Sequence, residues 1–182
     1  VSRIGQEQVI KSISNGTTPP RDMRTLEDGK IILCMLSDTV SERLREHGFK
    51  AGTVHINARY TDLHTFSHQK SFTRPTDISS HILSAGTALL QECWNLEKPL
   101  RSITIGVSDF SPSDAPVQLT VFDDEEKLHK LERLDMAVDN IRRRFGYFSI
   151  SRAVTSLDKS LGHVDARREH VSLPAGYFKE LI

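Results

Sequence analysis

The sequence predicts an α+β domain: two helices on one face of a four-stranded sheet, in the order β-α-β-β-α-β, followed by a helical extension. Three observations predict it. Residues 54–60 alternate apolar and polar without a break, the period of a half-buried strand. Two stretches, Ile32 to Leu44 and Ile78 to Cys93, repeat apolar residues every three or four positions, the period of amphipathic helices. Past Phe110 the composition turns to Ser, Pro and Asp before another helical period begins, so the sheet unit ends near there.

Residues 6–15 read as the first strand, stopped by Gly16 and Pro19-Pro20. Thr25 with Asp28 opens the first helix as a capping box. Ile32, Leu36, Val40 and Leu44 form its apolar stripe, and Gly48 closes it. In the second strand Val54, Ile56, Ala58 and Tyr60 face one way and His55, Asn57 and Arg59 the other. A turn at Thr61-Asp62-Leu63-His64 leads to a third strand near 66–74. There Phe72 shares its parity with Lys70 and Arg74, so either the face is mixed or a bulge re-aims the basic residues. Pro75-Thr76-Asp77 ends this strand and caps a second helix with the stripe Ile78, Ile82, Ala85, Leu89 and Cys93. After Pro99 a fourth strand runs through residues 101–107. About 110 residues in this pattern can bury a core of their own.

The organisation that follows is a sheet domain over residues 1–111, a linker over 112–124, an amphipathic helix over 125–146 and a tail over 147–182. The tail has no strong period and is expected to be partly disordered or to depend on a partner. Leu128, Leu131, Leu134, Val138, Ile141 and Phe145 mark the helix. Its stripe must be buried somewhere, against the domain or in a dimer through this helix.

Lys plus Arg and Asp plus Glu each total 24 in 182 residues, so net charge carries no argument for a polyanionic partner. Distribution carries more. The first helix holds Glu27, Asp28, Asp38, Glu42 and Glu46, while the strands and their ends hold Lys11, Arg59, Lys70, Arg74 and Arg101. With the helices in one layer, the free sheet face is expected to be basic and able to grip phosphates. Ser12, Ser14, Ser71, Thr73 and Ser102 are small enough to let backbone N–H groups approach phosphate oxygens, contacts that position without reading sequence. An RNA-binding sheet of this class stacks bases on aromatics, and His55, Asn57 and Arg59 argue against that reading.

The two cysteines, Cys34 and Cys93, lie in helices without a CxxC partner and read as buried thiols of a reducing cytoplasm. There is no signal peptide near the start and no apolar run of membrane-spanning length. The chain begins at Val1 with its first Met at 23, which points to a piece of a longer protein. No nucleophile elbow, Walker loop or dinucleotide fingerprint is present. His64 and His68 sit four apart on a turn and a strand, a poor arrangement for zinc. Asp123, Asp124, Glu125 and Glu126 stand where a helix N-terminus attracts acids, and Arg142, Arg143 and Arg144 where its C-terminus attracts bases. No catalytic residue and no metal site is expected in this chain.

Four stretches, read together, resemble the C-terminal little-finger domain of Y-family translesion DNA polymerases, the polymerase IV and ImpB/MucB/SamB-like group. They are Lys11-Ser12-Ile13-Ser14-Asn15-Gly16-Thr17-Thr18-Pro19-Pro20-Arg21-Asp22, Ala58-Arg59-Tyr60 with Asp62, Lys70 through Pro75-Thr76-Asp77, and Pro99-Leu100-Arg101-Ser102-Ile103. Ile141-Arg142, Arg144-Phe145-Gly146 also recur in the group. Gln118-Leu119-Thr120-Val121-Phe122 is similar to the Gln-Leu-x-Leu-Phe peptides that a bacterial sliding clamp binds. The resemblance implies a sheet lying across the DNA major groove and gripping both backbones through Lys11, Ser12, Arg59, Lys70, Arg74 and Arg101. It implies a clamp contact through Gln118, Leu119, Val121 and Phe122. It also implies a low-fidelity, Mg²⁺-using parent polymerase whose palm carboxylates lie outside this chain, so that no cofactor belongs to the stretch itself. The alternative is a stand-alone module that occupies the clamp without copying DNA. Two departures stand out: Thr104 where the group often has Gly, and Val121 where the clamp peptide usually has Leu.

Overall fold

A computed structural model describes residues 10–115 and 125–164. Strands β1 (Ser12–Thr17), β2 (Phe49–Tyr60), β3 (Thr65–Thr76) and β4 (Leu100–Pro112) form one antiparallel sheet in the order β1-β4-β2-β3. Helices α1 (Leu26–Glu46) and α2 (Ser79–Cys93) cover one face of it, which is the expected β-α-β-β-α-β order. Helix α3 (Glu125–Phe145) follows, then two 3-10 turns, Tyr147–Ser149 and Ala153–Ser156, and a last helical turn, α4 (Lys159–Gly162).

The local signals explain most boundaries. Thr25 accepts from the Asp28 N–H at 3.1 Å and Asp28 accepts from the Thr25 N–H at 3.1 Å, the reciprocal cap that starts α1. Ile13, Val54, Ile56, Ala58, Ile103, Ile105 and Val107 point into the core against Ile32, Leu36, Val40, Ile82 and Leu90. The strands outrun their alternating cores. Phe49 of β2 and Phe110 of β4 stack with ring centroids 5.3 Å apart, and the Ser113 N–H donates to Gly48 O at 2.8 Å. This pairing carries β4 through Ser111 and Pro112. A proline is tolerated there because β1 stops at the Ser12–Ser108 pair and asks for no hydrogen bond further on.

Asp77 does not cap α2. The N-cap position is Ile78 and makes no side-chain cap bond. Thr76 Oγ1 accepts from the Ile78 N–H at 3.2 Å, and Asp135 of α3 accepts from the Ser79 N–H at 2.8 Å. The acid that serves this helix start comes from another element, which no local pattern encodes.

Helix α3 differs from its expected orientation. Its buried residues are Asp135, Asp139 and Arg142, while Leu134 is 52% and Phe145 65% exposed. The surface it meets is charged: Arg45 donates to Asp139 at 2.7 and 3.0 Å and to Asp135 at 3.3 Å, and Arg142 donates to Asp38 at 2.9 Å. A helix facing Asp38 and Arg45 must turn its own charges inward, since burying a charge without a partner costs several kcal/mol. Residues 147–164 fold back on the same side. Arg152 donates to Asp38 at 3.2 Å and to Ser79 at 2.6 Å, and Leu161 and Val164 join the core. Arg21 ties the tail to the start of α1 through Asp28 (2.7 Å) and Asp158 (2.6 Å), the N-cap of α4. Thus α1 lies between the sheet and the tail and is buried on both sides. Cys34 within it is fully buried, its thiol pushed up to about 12 by burial, and Cys93 is partly buried.

Candidate nucleic-acid interface

The free face of the sheet is set by strand parity. With Ile13, Ile56 and Ile105 in the core, the opposite side presents Ser12, Ser14 and Gly16 from β1 and Ser102, Thr104, Gly106 and Ser108 from β4. From β2 come His55, Asn57 and Arg59, and from β3 Thr65, Ser67, Gln69 and Ser71. Short side chains prevail across four strands, leaving backbone amides within reach of a ligand.

Two close approaches shape this surface. A Cβ on Gly106 would overlap the His55 ring and come 2.8 Å from Ser14 Cβ. His55 therefore lies flat across β4 in the hollow that Gly106 leaves. Its burial lowers its pKa from 6.5, so a neutral imidazole sits mid-face. A Cβ on Gly16 would overlap Thr104 Oγ1. Thr104 thus fills space that Gly16, its cross-strand partner, vacates, which is how this chain accommodates a side chain where the group often has Gly.

The six DNA candidates separate by position. Ser12 and Arg59 lie on the free face by register. Arg101 is the extra residue of a bulge, because Arg59 pairs with Ser102 while Tyr60 pairs with Leu100; it is exposed at that end of the face. Lys11 is exposed just before β1, at the opposite end, with the parity of Ile13. Lys70 and Arg74 are not on the free face. Lys70 pairs with core-facing Val54, and its Nζ is 4.0 Å from Glu92 of α2. Arg74 is half-buried beside Thr76 and His81 in a small cavity on the helix side. The third-strand face is mixed up to Phe72, since Phe66, Lys70 and Phe72 share one parity; beyond it a register shift falls between Ser71 and Thr76, the stretch that holds Arg74. The free face is consequently polar rather than broadly basic, with its cations at the two ends. Asp109 stands near the Lys11 end and accepts from the Thr53 hydroxyl at 2.5 Å.

Sequence reasoning placed His55 on the free face and noted Thr104 only as a departure, and it missed Gly106 and Ser108 as surface-shaping residues. The signal was present: once Ile103, Ile105 and Val107 are core, the residues between them must face outward. Gln118, Leu119, Val121 and Phe122 lie outside the described residues. Among the described residues no group of three or more His, Cys, Asp or Glu is placed to hold a metal ion. No helix among them is long and apolar enough to cross a membrane. A surface of this kind can hold a polyanion.

A family model described as the impB/mucB/samB family C-terminal domain matches residues 10–121. DNA polymerase IV of Acetivibrio thermocellus is 38% identical over 155 residues, covering 85% of this chain and 39% of that protein. DNA polymerase IV of Clostridium kluyveri is 33% identical over 143 residues, covering 75% of this chain and 36% of that protein. The chain thus spans under two fifths of the length of these curated relatives. A solved "Complex of beta-clamp processivity factor and little finger domain of PolIV" overlays with a TM-score of 0.47 at 11% identity, covering 62% of this chain and 99% of that one.

Proposed function

Because the chain belongs to the impB/mucB/samB C-terminal domain family, the little finger of polymerase IV-type Y-family enzymes, we propose that it grips primer-template DNA for an error-prone translesion polymerase and docks that enzyme on the sliding clamp. What carries the reading is the free sheet face, floored by small polar side chains with cations at both ends. Ser108, beside Lys11 and Ser12, and Ser102, beside Arg59 and Arg101, are six steps apart on β4, about 20 Å at strand rise. That span exceeds the major groove, about 12 Å wide, so one end reaches each backbone. Lys11 and Ser12 take one strand, Arg59 and Arg101 the other. Ser14, Thr104 and Gly106 let the sheet approach between them without reading bases. Lys70 and Arg74 are assigned no DNA contact, because Lys70 lies toward Glu92 of α2 and Arg74 is half-buried in a cavity on the helix side.

The clamp contact is proposed to run through Gln118-Leu119-Thr120-Val121-Phe122. Gln118 satisfies polar groups at the mouth of a clamp groove, Leu119 and Phe122 fill its apolar pocket, and Val121 stands in for Leu. Such a tether raises the effective concentration of the enzyme at DNA. Nucleotide transfer, with its Mg²⁺, belongs to the part of the enzyme that this chain does not contain. The test is a calorimetric titration of the 182-residue chain with a bacterial sliding clamp, beside a Gln118→Ala/Phe122→Ala variant. Heat that vanishes in the variant supports recruitment through this peptide; equal heats from both proteins, or none from either, remove it.

A further inference from the structure

Helix α3 leaves an apolar strip uncovered, and the charges beside it select its occupant. Leu134, Val138, Ile141 and Phe145 follow one another at spacings of four, three and four, the seam of a two-stranded coiled coil. Leu134 is 52% exposed, Ile141 36% and Phe145 65%, although the neighbouring flank of the helix is fixed to the domain through Asp135, Asp139 and Arg142. A cavity of about 160 Å³ opens beside Leu134, Val138 and Ile150, with the paired charges of Asp38, Arg45, Arg142 and Arg152 also lining it; its apolar rim has room for an incoming apolar side chain. The outer flank of the seam carries Lys130, Arg133, Ala137, Asn140 and Arg144, all exposed. That is three cations and, beyond the first turn of the helix, no acid. A second copy would bring the same three cations against these, and like charges flanking a helical seam oppose pairing.

We propose that this strip is a docking site for an acidic amphipathic helix, with apolar residues along the seam and Asp or Glu against Lys130, Arg133 and Arg144. The mode is a helix laid in a groove, with one apolar residue anchored in the cavity beside Val138. The acid-rich partner is distinct from DNA and its binding does not depend on the sheet face, so the proposal stands apart from the reading above.

The test is fluorescence anisotropy of the whole 182-residue chain with two synthetic helical peptides of about three heptads. Both carry Leu at a and d; one carries Glu and the other Lys at e and g. The Glu peptide is expected to bind at least about tenfold tighter than the Lys peptide, a difference of about 1.4 kcal/mol. Lys130→Glu/Arg133→Glu/Arg144→Glu is expected to invert the preference. Phe145→Ser, a change at an exposed position, is expected to abolish binding while leaving the melting temperature in place. Equal binding of both peptides, or binding of neither, overturns the proposal. So does a doubled mass in light scattering at the same concentration, which would give the strip to a second copy. Binding that appears only after Phe178→Asp/Leu181→Asp would give it to the chain's own last residues and overturn it equally.

Discussion

The carboxylate of Asp135 on α3 accepts from both the backbone N–H and the hydroxyl of Ser79, each at 2.8 Å, so α2 is capped by a residue 56 positions away. The same Ser79 hydroxyl accepts from Arg152 at 2.6 Å, and Arg45 reaches Asp135 at 3.3 Å. Helix start, tail and α1 therefore share one buried polar cluster, which is worth having only when every member is satisfied. Removing the carboxylate strips a helix cap and leaves buried donors without an acceptor. Asp135→Ala is expected to cost about 2–4 kcal/mol in urea unfolding, with Asp135→Asn losing less. Hydrogen exchange in the first turn of α2 should rise in step; an unchanged first turn would mean that Asp135 is not its cap.

On the free face, Arg59→Ala and Arg101→Ala are expected to weaken duplex binding to about the same extent for unrelated sequences. Each should flatten the slope of log K against log salt by about 0.9, the signature of one lost phosphate contact. Lys70→Ala, whose side chain lies toward Glu92, should leave the slope where it was. A loss with Lys70→Ala equal to that with Arg59→Ala would contradict the assignment of faces.

Gly16 and Thr104 predict a coupled pair. Gly16→Ala places a methyl group on the Thr104 hydroxyl and should destabilise the chain by about 1–3 kcal/mol. In a Thr104→Gly background the same change should cost much less. A double-mutant cycle with a coupling near zero would show that β1 shifts to absorb the methyl group.

Acid should act in two stages. Burial holds His55 and His81 below their ordinary 6.5, so folding favours their neutral forms. Stability is then whole above about pH 6.5 and falls as the pH drops through their lower folded values. Glu132, lowered from 4.5 by Lys50 despite its burial, and Asp158, held well below 3.8 by Arg21, add a second loss at lower pH. Asp77 opposes this, since burial raises it above 3.8 and its protonation favours the fold. His55→Gln/His81→Gln is expected to erase the upper stage of a melting-temperature profile and keep the lower one.

Periodicity made the sheet unit legible because its elements bury one face each. The alternation from Val54 to Tyr60, the stripe from Ile32 to Leu44 and the Thr25–Asp28 cap all appear where the sequence places them. What stayed illegible was long-range and polar. The α3 stripe predicts burial, yet the helix docks by Asp135, Asp139 and Arg142 because its contact surface holds Asp38 and Arg45. The tail after Gly146 has no period because Arg152, Leu161 and Val164 attach one at a time rather than as a face. For the candidate interface, Ser12 and Arg59 follow from parity alone. Lys70 shares the parity of Phe66 and Phe72 rather than that of the free face, and the register shift between Ser71 and Thr76 that carries Arg74 has no local signal.

The free sheet face is proposed to lie against a DNA backbone, and amide chemical-shift mapping tests that most directly. Titrating a labelled chain with a short primer-template duplex at low salt is predicted to move the amides of Ser12, Ser14, Arg59, Thr104 and Gly106, and to leave α1 and α2 still. Shifts confined to the helices or the tail, or no shifts where the duplex saturates, would contradict it.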